Sequence, residues 1–227
     1  MFFDYCARLR NLYATSPMRD VPRPRQEKSP IRFYEQDDME RIVAWQPTAE
    51  RRALFALLYG TGIEISVALG LTRADLNPAA REIRAPGTKT ATRDRIARVA
   101  DWAWPVLYEH AQPTLPAARL FPPTWDRWTA SDRHRQTVGD GVKDTHGQVV
   151  HEGLKLRERL PMKNARHHWA VRRLRSGSPI HDVQRQLGHE SPKLTLDVYG
   201  AFVPTGADRD RAEKAATEYE ERRRAAK

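Results

Sequence analysis

Apolar residues recur at helical spacing through most of the chain. In "TAERRALFALLYGTG" they are nearly continuous between a capping threonine, Thr48, and a glycine, Gly60, which predicts a buried helix with its stop at that glycine. The preceding "EQDDMERIVAW" opens on acids that suit a first helical turn, and "IEISVALGL" predicts a third helix. Phe2, Tyr5, Leu9 and Leu12 form another helical stripe, with nothing before it to pack against. Between Arg81 and Val99 the pattern shortens to β-like runs around the turn "APGTKT", predicting a small antiparallel sheet edge. Helices then resume. "DWAWPVLYEHA" follows a cap at Asp101, and "NARHHWAVRRLRSG" carries Ala170, Val171 and Leu174 as its buried stripe with Gly177 as its stop. "SPIHDVQRQLGH" and "SPKLTLDVYGAF" each open on Ser-Pro, a cap followed by a first-turn proline. From "TWDRW" at Thr124 to about Leu160 no period emerges, and the tail "DRDRAEKAATEYEERRRAAK" predicts a charged helix with a thin apolar face. The expected fold class is mainly α with a small antiparallel β-sheet, α+β.

Composition narrows what such a fold can do. A chain of 227 residues, 40% hydrophobic and with 6 Trp, can bury a real core as one large domain plus a fragment. "SPMRDVPRPRQEKSP" is rich in Pro and charge and reads as a solvated connector, so the expected division is 1–30, 31–204 and a charged helix at 205–227. A net charge of +10 favours a polyanionic partner, nucleic acid before an anionic membrane surface. No stretch approaches the roughly 20 apolar residues of a membrane span. Asp4 and Arg8 interrupt what a signal peptide would keep apolar, so a cytoplasmic protein is expected. The single cysteine, Cys6, excludes an internal disulfide and a multi-cysteine zinc site, and is read as a small core residue. His167 and His168 are adjacent and point apart on a helix, so a structural and a surface role are expected and no metal site. Trp102 and Trp104 are expected in the core.

Four polar residues on the last predicted helices suggest chemistry. Lys163 and Arg166 are three apart and share a face at a helix start, where backbone N–H groups also favour an anion. Arginine offers a planar fork to phosphate oxygens, lysine a compact charge, and His189 a further donor or a proton carrier. Beside such cations Tyr199 becomes a candidate nucleophile, because its phenolate and the charge on an attacked phosphoryl group are both stabilised.

"ARHHWAVRRLRSGSPIHDVQRQLGHESPKLTLDVYGAF" resembles, in order and spacing, the second arginine motif, the "LGH" motif and the nucleophile helix of the tyrosine recombinases, or phage integrases. Upstream, "GTGIEISVALGLTRADL" sits where that family has its first arginine motif, and "GTKTATRDRIARV" resembles its lysine-bearing β-hairpin. The resemblance runs roughly from Ser29 to Phe202. It implies the family's catalytic-domain fold and site-specific DNA strand exchange through a 3′-phosphotyrosyl link, without metal or nucleotide cofactor. Tyr199 would be the nucleophile, Arg166 and His189 the phosphate clamp, Lys89 the general acid, and Lys163 a variant of the family's usual histidine. Arg93, Arg95, Arg172 and Arg173 would contact double-stranded DNA, and the family's synaptic tetramer implies a homo-oligomer on DNA. The first thirty residues resemble the last helix and linker of the family's N-terminal clamp, most of which is absent here, so weakened affinity is expected.

One position departs. Glu64 stands where the first family arginine belongs, and a carboxylate repels phosphate. Loss of one such donor typically costs about 2.7 to 4 kcal/mol in the transition state. Two readings follow: Arg73, Arg93 or Arg95 replaces that arginine, or the chain is a catalytically impaired, recombinase-derived DNA-binding protein.

Overall fold

The computed structural model describes residues 30–87 and 94–208, and residues 210, 211, 214, 217, 218 and 221 beyond them. The chain divides into two units, Met1–Pro30 and Ile31–Lys227, and all that is described, apart from Pro30, lies in the second. The N-terminal helical stripe, Cys6 and the tip of the "APGTKT" turn lie outside the described residues.

Helix α1 (Gln36–Ala44) leads into α2 (Ala49–Thr61), which is buried all round from Ala53 to Thr61, as its unbroken apolar run requires. Thr48 caps α2 by accepting the Arg51 N–H. The helix stops at Gly62 rather than Gly60: Gly62 has φ +67°, and a side chain there would meet the Trp169 indole at 2.9 Å. Helix α3 (Ile65–Gly70) follows directly. A three-stranded antiparallel sheet comes next, in the order β1 (Leu76–Asn77), β2 (Glu82–Ala85), β3 (Arg95–Arg98), with Ile83 opposite Ala97 and Ala85 opposite Arg95. The period of two sends Ile83, Ala85, Ala97 and also Arg95 to the buried face.

Helix α4 (Trp104–Ala111) packs along α2 and begins at Ala103 and Pro105 without a side-chain cap. Asp101, expected as that cap, instead pairs with Arg81 at 3.2 Å. Trp104 is buried, whereas Trp102 is 38% exposed. The stretch without period holds α5 (Arg127–Val138), capped by Asp126, and a hairpin of β4 (Val142–Lys143) and β5 (Val149–His151). Its helix was hidden because the buried stripe, Ala130, His134, Thr137 and Val138, is half polar.

Three helices close the domain: α6 (Asn164–Arg175), α7 (Ile180–Leu187) and α8 (Pro192–Tyr199). Ser191 caps α8 and Pro192 opens it, but at α7 the cap position belongs to Pro179 itself. Trp169, Leu174, Ile180, Val183, Leu187 and Tyr199 form a second apolar cluster beside the one centred on α2. His168 is not at the surface: it is 1% exposed, and its Nδ1–H donates to the Tyr34 carbonyl at 2.6 Å. Its spacing from Asn164 and Val171, both buried, puts it on the inner face of α6. Every described residue of the tail beyond 205 is helical.

His134, 1% exposed, lies against Phe55 and shares a 3.1 Å hydrogen bond with the Tyr59 hydroxyl. Burial holds its imidazole down at about 4, against an ordinary 6.5. Below the ordinary value the unfolded chain takes a proton that the folded chain refuses. Stability is therefore complete above pH 6.5, lost as pH falls towards about 4, and flat below that. The total loss is on the order of 3 kcal/mol. Urea midpoints across that range should show it, and His134→Gln should flatten the slope; an unchanged slope would assign the acid sensitivity elsewhere.

Candidate active site

Two helix ends fix one guanidinium. Arg166, in the first turn of α6, donates through Nη1 to the Gly62 carbonyl at 2.9 Å and through Nη2 to the Leu187 carbonyl at 2.5 Å. Gly62 terminates α2 and Leu187 is the last residue of α7, so both acceptors lie at the negative ends of helix dipoles. Arg166 keeps 20% of its side chain exposed, enough for an anion to reach it.

Beside it stands Glu64, whose carboxylate bridges two arginines. One oxygen is 2.5 Å from Arg95 Nη2 and the other 3.5 Å from Arg166 Nη1. Arg95 also donates from Nε to the Gln186 carbonyl at 2.7 Å, and only 6% of its side chain is exposed. Burial pushes the Glu64 carboxyl up, but Arg166 and then Arg95 outweigh it and hold the group below its usual range. Arg95, expected as a plain DNA contact, is thus an inward-facing member of the site. Of the two described arginines considered as substitutes for the family residue, Arg73 and Arg95, it is the one that reaches Glu64. Arg73 instead lies over the Tyr108 ring at 5.4 Å, and Arg93, like Lys89, lies outside the described residues.

Gly188 allows this convergence. It ends α7 with φ +66°, and a Cβ there would sit 2.9 Å from the Arg95 guanidinium, so both backbone and space require glycine. The next residue, His189, bonds through its backbone N–H to the Gln184 carbonyl and through Nδ1 to the Thr195 hydroxyl at 2.8 Å. Its ring lies nearly parallel to that of Tyr199, with centroids 6.4 Å apart and planes 7° apart. Thr195 and Tyr199 are one helical turn apart on α8, which lets one face of that helix hold both His189 and the phenol.

Tyr199 is 2% exposed, and its hydroxyl lies 2.9 Å from His167 Nδ1. Burial pushes the phenol up to about 12, with Arg166 pulling weakly the other way. The His167 imidazole is held below its ordinary value, first by burial and then by Lys163 and Arg166. His167 was read from the sequence as structural; its contact with the phenol arises because α6 and α8 pack together, which no single-helix pattern reveals. Its one local signal is its place one turn beyond Lys163 on the same helix face. Lys163 occupies the cap position of α6, close enough to act on His167.

An open groove leads away from His189 between β3 and α7. Arg95, Arg98, Arg173 and Arg185 line it together with the carboxylates of Glu82, Asp94 and Asp182. Arg172 points elsewhere and bonds to Gln36 on α1. Among the described residues, no group of three or more His, Cys, Asp or Glu is arranged to hold a metal ion. Nor is any helix among them long and apolar enough to cross a membrane.

The chain is 28% identical over 194 residues to the tyrosine recombinase XerC of Rhodospirillum centenum, covering 81% of this chain and 52% of the relative. It is 30% identical over 207 residues to XerC of Brucella suis, covering 83% and 58%. It therefore spans little more than half the length of these curated relatives. Among solved structures the XerA recombinase aligns with TM-score 0.58 at 18% identity, over 84% of this chain and 64% of the other. The catalytic domain of bacteriophage HP1 integrase aligns with TM-score 0.52 at 20% identity, over 78% and 90%. A Tn1549 transposon integrase in complex with a circular intermediate DNA aligns with TM-score 0.58 at 17% identity, over 92% and 74%. The fold is accordingly that of tyrosine recombinase catalytic domains, mostly helical with small antiparallel sheets. Since the profile of the Phage integrase family matches residues 32–202, well over half of its length, the chain belongs to that family.

Proposed function

We propose that this chain is the catalytic portion of a site-specific DNA recombinase that cuts and rejoins double-stranded DNA through a 3′-phosphotyrosyl intermediate. The observation that carries the reading is the convergence of Arg166 on α6, His189 in the turn after α7 and Tyr199 on α8, with the arginine already fixed by two backbone carbonyls. The Tyr199 oxygen would attack a backbone phosphorus while Arg166 and His189 bind its non-bridging oxygens. Lys89 would protonate the departing 5′-oxygen. The bond energy stays in the phosphotyrosyl ester, so a 5′-hydroxyl from a partner strand can reverse the step without a cofactor. Arg95, anchored by Glu64, would supply the guanidinium that the family places at position 64. Arg93, Arg98 and Arg173 would meet DNA phosphates along the groove and hairpin. Exchange between two duplexes requires more than one copy, which supports assembly of a homo-oligomer on DNA.

The test is covalent capture on a pool of nicked duplexes of randomised sequence, resolved on a denaturing gel, with the modified peptide identified by mass spectrometry. An adduct on Tyr199 is expected. Non-covalent binding should weaken about a hundredfold or more as salt rises from about 50 to about 200 mM, because phosphate contacts release counterions. Salt-sensitive binding without any adduct would leave a non-catalytic DNA-binding protein, and a salt-independent response would argue against a nucleic-acid role.

A further inference from the structure

Attack by the Tyr199 oxygen needs an acceptor for the hydroxyl proton. Among the described residues, the ring nitrogen within hydrogen-bond distance of the phenol oxygen is His167 Nδ1, at 2.9 Å. The other candidates are placed differently. The His189 ring lies nearly parallel to the phenol ring with centroids 6.4 Å apart, and its Nδ1 is engaged with the Thr195 hydroxyl at 2.8 Å. Arg166 carries no usable lone pair and is held by two carbonyls, and Glu64 is directed at Arg95 and Arg166.

We propose that His167 is the base of the cleavage step, taking the hydroxyl proton of Tyr199 on Nδ1 as the phenol oxygen attacks phosphorus. This rests on Tyr199 being the nucleophile. As the Tyr199 O–H bond breaks, an N–H bond forms on His167. The tyrosyl O–P bond forms as the P–O5′ bond breaks, and the leaving oxygen takes a proton from the general acid assigned to Lys89. Ligation runs the same transfers backwards, with His167 returning its proton to the tyrosyl oxygen.

The charged groups around His167 make the transfer depend on substrate. Lys163 and Arg166 on its own helix, and the buried surroundings supplied by α8, all disfavour an imidazolium while the site is empty. A bound phosphodiester places a negative charge against Arg166 and offsets that repulsion, so the base gains strength when DNA occupies the site. The arrangement keeps the phenol protonated in free protein and releases the proton in the complex. A well-placed base of this kind typically contributes about 10²- to 10⁴-fold in rate.

His167→Asn keeps a polar atom near the position of Nδ1 but cannot titrate at neutral pH. Single-turnover adduct formation is measured against pH on nicked duplexes enriched from the randomised pool by wild-type capture. A parallel set carries a sulfur-bridged 5′ leaving group, which departs without a general acid. Wild-type rates should rise with pH along a limb below the ordinary imidazole value of 6.5, since the base must be unprotonated. The variant should be about a hundredfold slower at pH 7 on both substrates, lose that limb, and recover only towards alkaline pH as the tyrosine ionises unaided. Equal rates with the same limb would overturn the assignment while leaving the recombinase reading intact. No wild-type adduct at all would overturn both. A measurement independent of the variant's folding is the 15N spectrum of the wild-type imidazole: an unprotonated Nδ1 on His167 is expected, and a protonated one refutes the proposal.

Discussion

Tyr199→Phe should eliminate every covalent protein–DNA species while leaving the fold and non-covalent binding nearly intact. The ring is part of the apolar cluster with Trp169, Leu174 and Leu187, and phenylalanine keeps that packing and its stacking on His189. What disappears is the hydroxyl and one hydrogen bond with His167. The stability change is on the order of 1 kcal/mol, because His167 loses a partner in a half-buried site. The chemical change is far larger: without a nucleophile, adduct formation should fall by at least about four orders of magnitude. Denaturing gels after incubation with nicked DNA, run beside a thermal melt and a binding titration, check all three parts. An adduct that persisted in the variant would place the nucleophile on another residue.

Glu64→Arg should be the second most damaging change, although it installs the arginine that the family resemblance implies for that position. In this chain the carboxylate separates two arginines, 2.5 Å from one and 3.5 Å from the other. Its replacement would crowd three guanidiniums together and remove the anchor of Arg95, whose side chain is nearly buried. Breaking such a pair in a site about one third exposed costs on the order of 2 kcal/mol, a melting shift of roughly 4 to 8 °C for a chain of this size. Adduct formation should fall about a hundredfold, because the phosphate loses a pre-placed donor. Combining Glu64→Arg with Arg95→Glu keeps the net charge and re-forms the pair in reverse, and should recover much of the lost stability. If Glu64→Arg alone raised the rate, Arg95 would not be the substitute.

The pattern of apolar positions was enough for the helices around α2 and for the sheet, because those elements bury regular stripes. It failed where polar residues face inwards. His134 and Thr137 masked α5, and His168 was placed at the surface although its spacing from Val171 put it inside. The same limit applies to the site. Arg166, His189 and Tyr199 were legible from motif order, and the structure brings them together. Glu64 was legible as an anomaly, and its bond to Arg95 followed once β3 was known to turn Arg95 to the buried face. The contact of His167 with Tyr199 depends on how two helices pack, which no local spacing encodes. Lys89 and Arg93 lie outside the described residues and remain expectations of the resemblance.

The grip on Arg166 by carbonyls at the ends of α2 and α7 has an evolutionary consequence. Main-chain oxygens are present whatever side chains a lineage carries, so this guanidinium keeps its place through substitutions that would dislodge one held by carboxylates alone. The neighbouring position can therefore carry either sign of charge without setting Arg166 adrift. An acid at position 64 is tolerable beside Arg166 because that guanidinium keeps two backbone carbonyls as well as the carboxylate 3.5 Å away, and Arg95 takes the other carboxylate oxygen. Drift at such a site is confined to residues whose loss a nearby residue can cover, and the backbone-held arginine marks the point around which that exchange can turn.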